Sequence, residues 1–95
     1  MNSKFQKVGD LLRSYLKETG LEHKLQEASV PAYWQEIIGQ QLAAQTAVKR
    51  FEDGKLFIEV PAAVWRQELI LRREDIRAKI NSRAGKEIVK EIIIR

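Results

Sequence analysis

The sequence predicts an α+β domain with two layers, helices on one side and a three-stranded sheet on the other. Three observations carry this. Apolar residues recur at spacings of three and four over residues 5–43, as on helices. Two strand-like runs flank Asp53-Gly54. An arginine-rich helical stretch then leads into a β-branched C-terminal run. The predicted order is α-α-α-β-β-α-β, in a single domain covering residues 1–95.

The first helix rests on Phe5, Val8, Leu12, Tyr15 and Leu16, with Gly20 placed as its left-handed C-terminal cap. A short second helix covers Leu21 to Ala28, with Leu21 and Leu25 on its inner face. Ser29 and Pro31 read as a new start, because proline fits a first helical turn. Trp34, Ile37, Ile38 and Leu42 then mark the third apolar stripe, interrupted by Gly39. After Thr46 the period changes to two. "TAVKRFE" and "KLFIEV" around Asp53-Gly54 predict a β-hairpin. Leu56, Ile58 and Val60 face one side of the second strand; Phe57 and Glu59 face the other. Lys49 and Arg50 are adjacent on the first strand and are predicted to point to opposite faces.

Pro61 lacks a ladder donor, so the strand stops there and a long helix is predicted from about Ala62 to Arg83, ending near Gly85. Trp65, Leu69, Ile76 and Ile80 share one face, which predicts Trp65 as a core anchor. Arg66 turns about 100° away and begins a basic stripe. "KEIVKEIIIR" is the last strand.

Composition limits the chemistry. Cysteine is absent, which excludes disulfides and thiolate metal sites. His23 is the only histidine and sits between Glu22 and Lys24, the setting of a surface residue. Glu74 and Asp75 are adjacent on a helix and diverge, so they make a poor acid–base pair. The five glycines are scattered, with neither a phosphate-binding loop nor a Gly-x-x-Gly clamp. The reading is therefore of a protein that is not an enzyme, with no metal, cofactor or small-molecule substrate. No apolar run approaches a membrane span or the core of a signal peptide, so a cytoplasmic location is expected.

Charge is unevenly placed. Residues 1–61 carry eight basic and eight acidic side chains, whereas residues 62–95 carry nine and five, so the net +4 lies wholly in the last third. Such a surface favours a polyanion through phosphate neutralisation and counterion release. On the long helix, Arg66, Arg73 and Arg77 form one stripe; Arg72, Lys79 and Arg83 form another. Arg66, Arg72, Arg73, Arg77 and Lys79 are the candidate phosphate contacts, with Lys49 or Arg50 as additions. The competing reading is a solvated helix whose arginines pair with Glu68, Glu74 and Asp75. Phe51 and Phe57 are expected in the core, although either would stack a base if exposed. Ile70 and Leu71 make the helix apolar on more than one side, which suits deep burial or a protein partner.

The order "YWQEIIGQQLAAQT" (33–46), "DGKLFIEVPAAVWRQEL" (53–69) and a closing "IVKEIIIR" resembles a small bacterial family. That family was first catalogued as domain-of-unknown-function family seven hundred and twenty-one and is linked to the replicative-helicase operator DciA. The shared positions include Trp34, Gly39, Thr46, Asp53-Gly54, Leu56, Val60, Trp65 and Glu68-Leu69. The resemblance runs from about Leu11 to Arg95. It implies a K-homology-like domain without the Gly-x-x-Gly loop. It also implies a role in replication, in which the protein binds the DnaB-type helicase and single-stranded DNA and assists helicase loading. No catalytic residue carries over. Longer relatives carry a basic C-terminal extension, so the resemblance places any helicase contact here on the folded domain or its first helix. Two alternatives remain: a protein-interaction domain without useful nucleic-acid affinity, working through the long helix or Phe5–Leu16, and an RNA-binding module.

Overall fold

A computed structural model describes residues 3–95, with side chains from Val8 onward. Phe5 of the expected partner stripe therefore lies outside the described side chains. The elements are α1 (Ser3–Thr19), α2 (Leu21–Ile38), α3 (Gln40–Ala43), β1 (Ala47–Glu52), β2 (Lys55–Glu59), α4 (Ala63–Leu71), α5 (Arg73–Ala84) and β3 (Glu91–Ile94). The α+β class and the order of helices, hairpin, helical segment and strand agree with the sequence reading. The sheet order is β1-β2-β3; β1 runs antiparallel to β2, and β2 parallel to β3.

One core joins the two layers. Val30, Trp34 and Ile38 from α2, Leu69 from α4, and Ile76 and Ile80 from α5 cover Leu56, Ile58 and Ile92 of the sheet, with Val60, Ile88 and Val89 closing the cluster. The longest dimension, 53 Å against 27 and 19 Å, belongs to a molecule whose α1 packs chiefly on α2. On α1, Val8, Leu11, Leu12 and Tyr15 are each more than half exposed.

Several boundaries differ from expectation. α2 runs unbroken through Pro31, where a new helix was expected. Proline in a helix forfeits one hydrogen bond and costs about 3 kcal/mol. Here Val30, Trp34 and Ile38 form a single i, i+4, i+8 stripe across the proline, all buried. Burying such side chains stabilises by about 1.5–3 kcal/mol each, which outweighs the defect. The expected single helix over 62–83 is two helices broken at Arg72, whose φ of −99° and ψ of 4° leave the helical region. The expected C-terminal strand is shorter. Residues 86–90 are irregular, and Asn81 holds them: its Oδ1 accepts from Ile88 N (3.0 Å) and Val89 N (2.8 Å), and its Nδ2 donates to Val89 O (2.9 Å).

The hairpin is as read. Asp53 and Gly54 both have positive φ, 52° and 78°, the geometry of a two-residue turn matched to strand twist. The Gly54 carbonyl also accepts from Lys90 N at 2.8 Å, so this turn positions the start of β3. A bulge between Val48 and Arg50 shifts the β1 register.

Candidate nucleic-acid interface

The expected basic residues occupy different chemical settings. Arg66 is half-buried, and its guanidinium is turned back on the chain. Nε donates to Val60 O and Nη2 to Pro61 O, both at 3.0 Å. These carbonyls end β2 and open the corner into α4, so the side chain ties the strand exit to the helix. The preceding residue takes the surface position: Trp65 is 42% exposed, whereas the spacing had placed it in the core. The pair thus has roles opposite to the sequence reading, with Arg66 in the packing and Trp65 outside.

Arg77 is also engaged. Its Nε meets Glu74 Oε2 at 3.0 Å, Nη1 reaches Glu87 at 3.9 Å and approaches Val89 O at 3.5 Å, and only 26% of its side chain is exposed. Lys79 pairs with Asp75 at 3.0 Å one turn back on α5. Both partners are mostly exposed, so this pair is worth well under about 1 kcal/mol and leaves Lys79 able to exchange partners. Arg83 bonds Glu36 at 3.0 Å and lies 5.3 Å from the Tyr33 ring, cross-linking α5 to α2.

Arg72 and Arg73 stand apart. They are exposed at the turn between α4 and α5, and among the described residues neither side chain has an ion-pair or hydrogen-bond partner. Beside Arg72 a groove of about 390 Å³ opens between α3 and α4. Gln41, Leu42 and Gln45 line one wall; Val64, Trp65, Glu68 and Arg72 line the other. Val64 in that wall is 74% exposed, and Leu71, next to Arg72 in the chain, is 81% exposed.

Lys49 and Arg50 lie elsewhere, on the uncovered sheet face. They were expected on opposite faces, but both line one depression of about 250 Å³ with Phe57, Glu59, Ile93 and Arg95. The β1 bulge is the physical reason, since an extra residue cancels the strict alternation of a strand. Lys49 meets Glu59 at 3.2 Å, and Arg50 lies 3.7 Å from Glu52 and 4.2 Å from the Phe57 ring. Phe57 is half-buried on this open face, while Phe51 packs against the core. Of the seven candidate cations, Lys49 and Arg50 share the sheet-face depression and Arg72 lines the α3–α4 groove; of these seven, only Arg72 and Arg73 have neither an ion-pair nor a hydrogen-bond partner among the described residues.

His23 pairs with Glu27 at 2.7 Å on an exposed stretch of α2. Among the described residues no cluster of three or more His, Cys, Asp or Glu is placed to hold a metal, and no helix is long and apolar enough to cross a membrane. Sequence reasoning missed two groups, Trp65 as a surface aromatic and Arg95 beside Lys49 and Arg50. A signal for the first was present: Val64, Glu68, Leu71 and Arg72 recur with Trp65 on one α4 stripe of mixed apolar and charged character.

A family model described as Dna[CI] antecedent, DciA matches residues 7–94. Curated relatives include a UPF0232 protein of Rhodococcus jostii, 28% identical over 89 residues, which are 94% of this chain and 47% of that protein. A UPF0232 protein of Corynebacterium glutamicum is 26% identical over 89 residues, 94% of this chain and 50% of that protein. One from Mycobacterium ulcerans is 25% identical over the same length, 94% of this chain and 48% of that protein. The chain spans about half the length of the curated relatives it matches. With the family match covering nearly every described residue, this chain belongs to the DciA family.

Proposed function

We propose that this protein is a non-enzymatic accessory of the bacterial DnaB-type replicative helicase, working in the cytoplasm, that binds single-stranded DNA and assists the helicase's loading. Family membership supports the helicase part of this reading. The observation that carries the DNA part is the Arg72–Arg73 pair, two exposed guanidinium groups without acidic partners at the α4–α5 turn. Guanidinium groups grip phosphate oxygens bidentately, and uncompensated ones bind without first breaking an ion pair. Lys79 on the same helix, and Lys49 and Arg50 on the sheet face, add weaker contacts after exchanging their carboxylate partners. Arg66 and Arg77 contribute mainly through the fold that presents the site. The mechanism uses binding energy alone: the domain holds the strand and the helicase together, and no covalent step is needed.

The test is capture of the host's replicative helicase on immobilised protein, with and without single-stranded DNA. Retention of helicase, increased by DNA and reduced in an Arg72→Ala/Arg73→Ala variant, supports the reading; no retention in either condition refutes it. A second reading, a protein-interaction domain without nucleic-acid affinity, draws on α1, whose Val8, Leu11, Leu12 and Tyr15 are exposed. Helicase capture with no single-strand binding even at low salt would select it. Parallel titration with RNA and DNA of one sequence separates the two polymers, since both offer the same phosphates.

A further inference from the structure

The groove between α3 and α4 combines features that a phosphate-binding cation pair does not require. Trp65 presents part of its ring to solvent, although it is the kind of side chain that folding normally hides. Around it are two carboxamides, Gln41 and Gln45, one carboxylate, Glu68, and at the rim Arg72. We infer that this groove is a nucleobase subsite, in which one unstacked base of a single strand lies on Trp65 while its flanking phosphates sit on Arg72 and Arg73.

The inference rests on the proposed single-strand binding and adds to it a place for the base. Every base has a π face, so an exposed indole holds one without regard to sequence. The carboxamides both donate and accept, and the carboxylate accepts, which matches the edge groups of a base. Glu68 repels phosphate, so the backbone is directed out of the groove towards the arginines. The apolar face of a partner helix fits less well. It would cover Gln41, Gln45 and Glu68 without giving them hydrogen-bond partners, and each polar group buried that way opposes binding. The groove volume, about 390 Å³, lies at the small end of ligand sites and suits one nucleoside better than a peptide segment.

The experiment compares a short oligodeoxycytidine with an abasic strand of equal length, using the wild type, Trp65→Ala and Trp65→Phe. Trp34, the other tryptophan, is buried, so emission quenching on binding reports Trp65. The wild type is expected to favour the base-bearing strand by roughly 5- to 150-fold, with quenching. Trp65→Ala should erase that preference, and Trp65→Phe should keep most of it. Equal, salt-sensitive binding of both strands by the wild type would overturn the base subsite and leave the DNA-binding reading standing. Binding of neither strand overturns both. A Trp65→Ala variant that loses helicase capture but still prefers the base-bearing strand shows a protein dock in the groove, and likewise overturns the inference.

Discussion

Arg66 and Arg72 are six residues apart at the two ends of α4, and their surroundings are chemically opposite. At the β2–α4 corner the guanidinium of Arg66 answers two main-chain carbonyls left over where β2 ends. At the α4–α5 turn the guanidinium of Arg72 faces solvent and an open groove, with Arg73 beside it. Both belong to the same run of excess charge, so charge counting treats them alike. What separates them is whether the fold itself supplies the acceptors. A cation already satisfied by its own backbone stabilises the scaffold; one left unsatisfied is available to a partner.

The same division orders the expected effects of substitution. The largest is at Asn81, which serves the β3 approach as Arg66 serves the β2 exit, with three hydrogen bonds to Ile88 and Val89. Asn81→Ala removes all three bonds and strands Val89 N, while Ile88 N keeps Lys86 O at 2.9 Å, so denaturant unfolding should show a loss of about 2–4 kcal/mol. Arg66→Met keeps the aliphatic stem but removes two donors; the loss should be about 1–3 kcal/mol, with little change in nucleic-acid affinity beyond any loss of folded protein. Arg72→Ala/Arg73→Ala should leave stability within about 0.5 kcal/mol, since neither side chain has a partner to lose, while weakening single-strand binding. Lys79→Ala, which breaks only the exposed pair with Asp75, should shift stability by less than about 0.5 kcal/mol and weaken single-strand binding less than the double arginine substitution does. An Arg66 variant as stable as the wild type would remove the contrast on which this ranking stands.

Local signals were enough to read much of the architecture. The Asp53-Gly54 turn was clear because few residues other than glycine, asparagine and aspartate accept positive φ, and two of them stood between alternating runs. Leu56, Ile58 and Val60 could be assigned to one face because strand period is rigid. The misreadings have a common cause, since each depended on long-range packing. Pro31 reads as a helix start locally, and only the burial of Val30 and Trp34 against the sheet makes a continuous helix cheaper. The break at Arg72 has no glycine or proline to announce it. Trp65 shares helical spacing with Leu69, Ile76 and Ile80, yet lies at the exposed end of a helix that does not continue straight into α5. The bulge that brings Lys49 and Arg50 into one depression is equally silent in sequence. In the candidate site, then, sequence indicated which residues were cationic, and packing decided which remained available.

The salt dependence of single-strand binding tests that division most directly. The logarithm of affinity falls linearly with the logarithm of salt, with a slope near −0.7 for each phosphate neutralised on a single strand. Arg72→Ala/Arg73→Ala should flatten the slope by about 1.4, one phosphate for each arginine, whereas Arg66→Met should leave the wild-type slope unchanged. A slope flattened equally by Arg66→Met, or left untouched by the double substitution, would contradict the assignment of Arg66 to the scaffold and of Arg72 and Arg73 to the partner.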